Sequence, residues 1–155
     1  MKKIYKKGIS GLELMVVAAI LGILVAVLLP QFGKSRERAT LDSAVRDIVS
    51  VLSQARSQTL AAMDSSSFGV HFAQDEVIIF KGTSFSSGNP DNEKTSIVFP
   101  ATISNVTLGG VSGSSGELYF HRLSGSPSKW GTITVSSPSY SKIITVSATG
   151  SANAN

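Results

Sequence analysis

Apolar residues change their spacing twice along this chain, and each of the three spacings predicts a different element. From Ile9 to Leu29 they run almost without interruption, and Glu13 is the one charged residue among them. Those 21 residues, rising about 1.5 Å each, make a helix of roughly 30 Å, the thickness of a bilayer's hydrocarbon core. Further on, the apolar positions thin to Leu41, Val45, Ile48, Leu52 and Ala55, four and three residues apart. Arg36, Arg38, Asp42, Arg46 and Asp47 fall largely off that stripe, which is the period of a helix with one buried face. From Phe68 the period drops to two: Phe68, Val70 and Phe72 alternate with Gly69 and His71. Short apolar runs follow, "EVIIFKG", "SIVFP", "TISNVTL", "ELYFHRL", "GTITVSS" and "KIITVSA", separated by turn-forming clusters such as "SSGNPDNEK", "GGVSGSSG" and "LSGSPSKWG".

This pattern predicts an α+β fold in which an antiparallel β module covers the apolar stripe of a long N-terminal helix. Pro30 removes one helical hydrogen bond and favours a kink where the apolar run ends. The helix is expected to fade near Met63, where "DSSS" supplies side chains that compete with helical hydrogen bonds. The stripe reads as the face that packs on its own domain, with an intermolecular coiled coil as the other reading.

Charge changes the picture only once it is located. Fourteen Lys and Arg stand against ten Asp and Glu, for a formal charge of +4. Lys2, Lys3, Lys6 and Lys7 lie before Gly8, and beyond Gly8 ten cations face ten anions. The excess is therefore a topogenic leader, since lysines beside an apolar run hold that end in the cytoplasm. A cleaved secretory signal would show a shorter apolar stretch and a small-x-small cleavage site. Here the run ends "VLLPQFGKSRER", without such a site. The segment reads as a retained anchor.

Within that anchor Glu13 is the anomaly. An acidic residue in a membrane span costs about 2.5–3.5 kcal/mol on insertion scales and by default marks a functional pairing. Either Glu13 reaches headgroup water at the interface, or something outside the span supplies a cation.

The stretch "KKGISGLELMVVAAILGILVAVLLP" resembles the class III signal of type IV pilins and type II secretion pseudopilins. Gly8 matches the last residue of the leader, Ile9 the first mature residue, Glu13 the fifth-position glutamate and Pro30 the proline about twenty residues into the mature helix. Ile9 stands in place of the usual Phe, and Ser10–Gly11 in place of the usual Thr-Leu. The resemblance implies a leader 1–8 removed by a membrane-embedded peptidase, N-methylation of Ile9, a transmembrane helix 9–30, its amphipathic continuation 31–63 and a β-rich domain 64–155. It also implies the missing cation: the Glu13 carboxylate would contact the ammonium at Ile9 of a neighbouring subunit, a charge-assisted pair that offsets desolvation of both partners. Ala55–Ser57, Gly116–Phe120 and Ile143–Gly150 are similar to segments of the H-type pseudopilin and its FimT-like minor pilin relatives.

Little catalytic chemistry is spelled out. His71 and His121 are the two histidines, each within an expected strand, and no nucleophile elbow, P-loop, H-E-x-x-H or dinucleotide fingerprint occurs. With no cysteine there is neither a disulfide framework nor a thiolate metal site. Asn89–Glu93 gathers oxygen ligands of the kind calcium takes, but without an EF-hand pattern, and a polar turn is the plainer reading. Asn105-Val-Thr107 spells a glycosylation sequon inside an expected strand. No enzyme activity, cofactor or metal is expected.

The expected function is that of a structural subunit, a minor pseudopilin or minor pilin, held in the inner membrane before assembly. Its C-terminal domain would lie outside the cytoplasm. The expected partners are other subunits, the prepilin peptidase and methyltransferase, and the membrane. One alternative is a DNA-uptake subunit gripping phosphates with Lys94, Arg122, Lys129 and Lys142, with Trp130 as a stacking platform, although these cations are scattered and nucleic acid is not the expected partner. The other is an anchored adhesin that never polymerises, which would need neither the glycine-cleavage signal nor Glu13.

Overall fold

The computed structural model describes residues 10–155 and the side chains of all of these except 28–31. One helix, α1, runs Gly11–Leu60, and nine strands follow it. The chain forms two compact units, one reaching to Arg36 and the other spanning Glu37–Asn155. Helix α1 contributes residues to both.

In the second unit the stripe Leu41, Val45, Ile48, Leu52 and Ala55 is buried, widened by Ala44 and Val51. The helix ends three residues before the expected Met63. Ala62 then takes a left-handed conformation, and a single 3₁₀ turn occupies Met63–Ser65. Thr59 secures this exit: its buried hydroxyl donates to the Ala55 carbonyl at 2.9 Å and accepts the Phe68 amide at 2.9 Å. That ties the last turn of the helix to the first residue of the first strand.

The strands are β1 (Phe68–Phe72), β2 (Glu76–Lys81), β3 (Glu93–Ser96), β4 (Thr102–Leu108), β5 (Val111–Gly113), β6 (Gly116–Tyr119), β7 (Gly131–Ser136), β8 (Ser141–Val146) and β9 (Ala152–Ala154). They form two antiparallel sheets, ordered β3-β2-β1-β6 and β5-β4-β7-β8-β9. Inward residues alternate as a half-buried strand requires: Val70 and Phe72, Val77 and Ile79, Ile133 and Val135, Ile144 and Val146. In β4 the core residues are Ile103, Val106 and Leu108, and the first two are three apart, which strict alternation forbids. A register shift against β7 between Ile103 and Asn105 inserts Ser104 as the extra residue and turns both side chains inward. These faces and the helix stripe together make one core.

Three sequence expectations need correction. "SIVFP" is not a strand: the edge strand is the polar segment Glu93–Ser96, and Val98 and Phe99 lie in an exposed loop, Phe99 at 84% exposure. An edge strand is recruited by the unpaired hydrogen-bonding row of its neighbour, here β2, and needs no apolar pattern of its own. "GGVSGSSG", read as a turn, contains β5. His121 lies beyond the end of β6, in a turn where its amide donates to the Ser126 carbonyl.

Candidate functional site

The candidate site is the N-terminal part of α1. Nothing in residues 11–27 breaks a helix except two glycines, and Leu, Val, Ile and Ala fill every face of it. Each of these residues is exposed, from Leu12 at 74% to Val27 at 70%. A helix apolar all round is stable only in an apolar surrounding. By length and composition this one is suited to cross a membrane, the one such helix among the described residues.

Glu13 sits in the first turn, where the unpaired backbone N–H groups carry the positive end of the helix dipole. That location lowers the cost of a carboxylate at the helix start but does not neutralise it. Among the described residues no cation pairs with Glu13. The next cation along the helix is Lys34, 21 residues on, so roughly 30 Å away along a straight axis. A partner for Glu13 from that direction is out of reach. Gly8 and Ile9, the expected cleavage pair, lie outside the described residues. The helix is continuous through position 30, so the proline there does not end it.

The other segments singled out in the sequence converge in the second unit. Arg56 donates from Nε to the Gly125 carbonyl at 3.0 Å and from Nη2 to the Thr149 carbonyl at 3.0 Å, holding two turns against the end of the helix. Both turns rely on glycines with positive φ, Gly125 at 63° and Gly150 at 84°. A Cβ at Gly150 would meet the Gly125 carbonyl oxygen and come within 2.9 Å of the Arg56 Nε. Gly116 lets β6 pass against Val106, and Phe120 is fully buried. The sequence marked Ala55–Ser57 as a motif without indicating that its arginine would reach two distant turns.

The cations weighed for phosphate binding are dispersed. Lys142 pairs with Asp42 at 2.7 Å, and Lys94 lies 3.8 Å from Glu76. Hydrogen bonding to Lys142 is the largest influence holding the Asp42 carboxyl below its ordinary range. Lys129 lays its aliphatic stem over Gly109, and Trp130 beside it is exposed. In the Asn89–Glu93 segment two of the oxygens are engaged within the chain: the Asn89 side-chain oxygen accepts the Asp91 amide at 3.0 Å, and the Glu93 carboxylate accepts from Gln54 at 2.9 Å, whereas the buried Asn92 side-chain oxygen has no hydrogen-bond partner. Among the described residues no group of three or more His, Asp or Glu is disposed to hold a metal.

No family model matches this chain, nor does any curated protein or solved structure.

Proposed function

We propose that the protein is a structural subunit of a type II secretion pseudopilus or type IV pilus, of the H-type pseudopilin kind, that waits in the inner membrane and assembles through Glu13. One observation carries the reading: a helix surface that is apolar on every side over residues 11–27, with a single carboxylate in its first turn and no cation within the described residues to pair with it. A lipid anchor alone accounts for the apolar surface but gives no reason for the charge. A neighbouring subunit's terminal ammonium at Ile9 supplies one, because either charge alone in lipid is expensive and pairing offsets much of that cost.

The experiment is Glu13→Gln in the native host, followed by intersubunit crosslinking in membranes. Gln keeps size and hydrogen bonding while deleting the compensating charge. Removing one partner of a buried pair costs about 3–5 kcal/mol, so incorporation should fall about a hundredfold or more. Membrane insertion should be unchanged, and intact mass should show a chain beginning at N-methylated Ile9. Wild-type crosslinking of Glu13→Gln would refute the assembly contact and leave a plain anchor with its carboxylate at the headgroups.

A further inference from the structure

The sheet β3-β2-β1-β6 has a second apolar face, away from the helix. Val77 and Ile79 of β2 belong to the main core, so Ile78 and Phe80 point the other way, yet both are buried. The segment Gly82–Asn92 folds back over that face and delivers Phe85 to it, against Phe80 and His71. The Phe85 ring meets Phe80 edge-on at 5.8 Å between centroids and stacks flat on His71 of β1 at 4.0 Å, the planes 9° apart. The Phe85 amide donates to the Glu117 carboxylate of β6 at 3.2 Å. The far end of the segment is closed by the Asn92 side chain, which donates to the Ser86 carbonyl at 2.8 Å.

His71 is thus the surface on which the segment is seated. Its Nδ1 is buried and has no hydrogen-bond partner. A bare ring nitrogen tolerates that position, whereas a protonated one would bring a charged N–H with no acceptor into the stack. We propose that Gly82–Asn92 is a pH-sensitive strap, closed over Ile78 and Phe80 while His71 is neutral and released when His71 is protonated.

The groups around the imidazole set the sign. Glu117 stands directly opposite His71 on β6, and Glu76 lies diagonally on β2, tied in turn to Lys94 of β3. The strap itself contributes the uncharged Phe85 ring. Burial is the largest influence and lowers the His71 pKa, while Glu117 and Glu76 raise it by less. With the strap shut the neutral ring is favoured; with it open the ring regains an ordinary value of about 6.5. Closure is therefore strongest above that ordinary value and is lost as pH falls through the lowered one.

Hydrogen exchange on the full-length protein in detergent micelles, corrected for the intrinsic pH dependence of exchange, tests this. Protection of the Phe85 amide and its strap neighbours, relative to amides of β7, should fall several-fold between about pH 7.5 and about pH 5, across the ordinary imidazole range. The midpoint should coincide with the His71 titration followed by NMR. His71→Gln should remove the pH dependence. Constant protection in the wild type, or an unchanged pH dependence in His71→Gln, would overturn the proposal. Glu117→Gln keeps an acceptor for the Phe85 amide but deletes a charge that favours the imidazolium, so the midpoint should move to lower pH. An unmoved or higher midpoint would also overturn it, even should His71→Gln fail to fold.

Discussion

Arg56 is the residue whose removal tests the architecture of the second unit most directly. Its guanidinium fixes two turns that are 69 and 93 residues away in sequence, so the contacts cannot be replaced locally. The bond to the Gly125 carbonyl is partly shielded, and the bond to the Thr149 carbonyl faces solvent. A hydrogen bond from an ionised donor contributes about 1.5–3 kcal/mol. Taking the low end for the shielded bond and about 0.5 kcal/mol for the exposed one, Arg56→Met should lose about 2 kcal/mol. Met keeps the apolar stem, so the loss reports the donors rather than the packing. For a unit of this size the melting temperature should drop by about 8 °C. Arg56→Lys should recover part of the loss, because an ammonium can reach one carbonyl but lacks the planar fork that serves both. The assay is urea and thermal unfolding, followed by circular dichroism, of a soluble fragment beginning at Gln31. A loss below ~0.5 kcal/mol for Arg56→Met would refute the clamp, since that is the range of ordinary surface substitutions. Full stability in Arg56→Lys would refute the importance of the fork.

Leu52→Ala in the same fragment should cost about 2–5 kcal/mol, because the side chain is buried in the helix–sheet core; a loss below ~0.5 kcal/mol would mean the stripe is covered by something else. Asp42→Asn should flatten the acid limb of the fragment's stability profile. The Asp42 carboxyl is held low by Lys142, so its contribution is present above the ordinary value of about 3.9 and is lost as pH falls through the lowered one. An acid limb identical in the two proteins would count against that pair.

The two helical periods were legible in the sequence because both are local: an apolar run, and then a stripe every three or four residues, leave their mark in consecutive positions. Strands β1, β2, β4, β7 and β8 were equally plain, each having an inward face rich in Val, Ile and Phe. The edges were not. Strand β3 is spelled "EKTS", β5 "VSG" and β9 "ANA", none long or bulky enough to show a strand face in the sequence, and each is held by the hydrogen-bonding row of its neighbour. Val98 and Phe99 misled for the converse reason, being apolar and β-prone yet exposed. At the candidate site, Glu13 was conspicuous because a charge in an apolar run breaks a pattern. The partner proposed for it was not, because a contact made on another subunit would have no spacing within this chain. The strap over Ile78 and Phe80 escaped as well: "SSGNPDNEK" has the composition of a solvated turn, and only the fold brings Phe85 onto His71.

The lengths of the strands have a consequence for how copies of this chain meet one another. Both sheets are open, so each has two borders with unsatisfied amides and carbonyls, and copies brought to high concentration would collide at those borders. The border strands β3, β5, β6 and β9 are three or four residues long, whereas the interior strands have five to seven. Strand β3, the border beside β2, also carries Glu93 and Lys94 on its exposed positions. Short borders, charged on β3 and β6, offer too few bonds to nucleate stitching from one molecule to the next. Such a protein can be stored at high local density without fusing into fibrils.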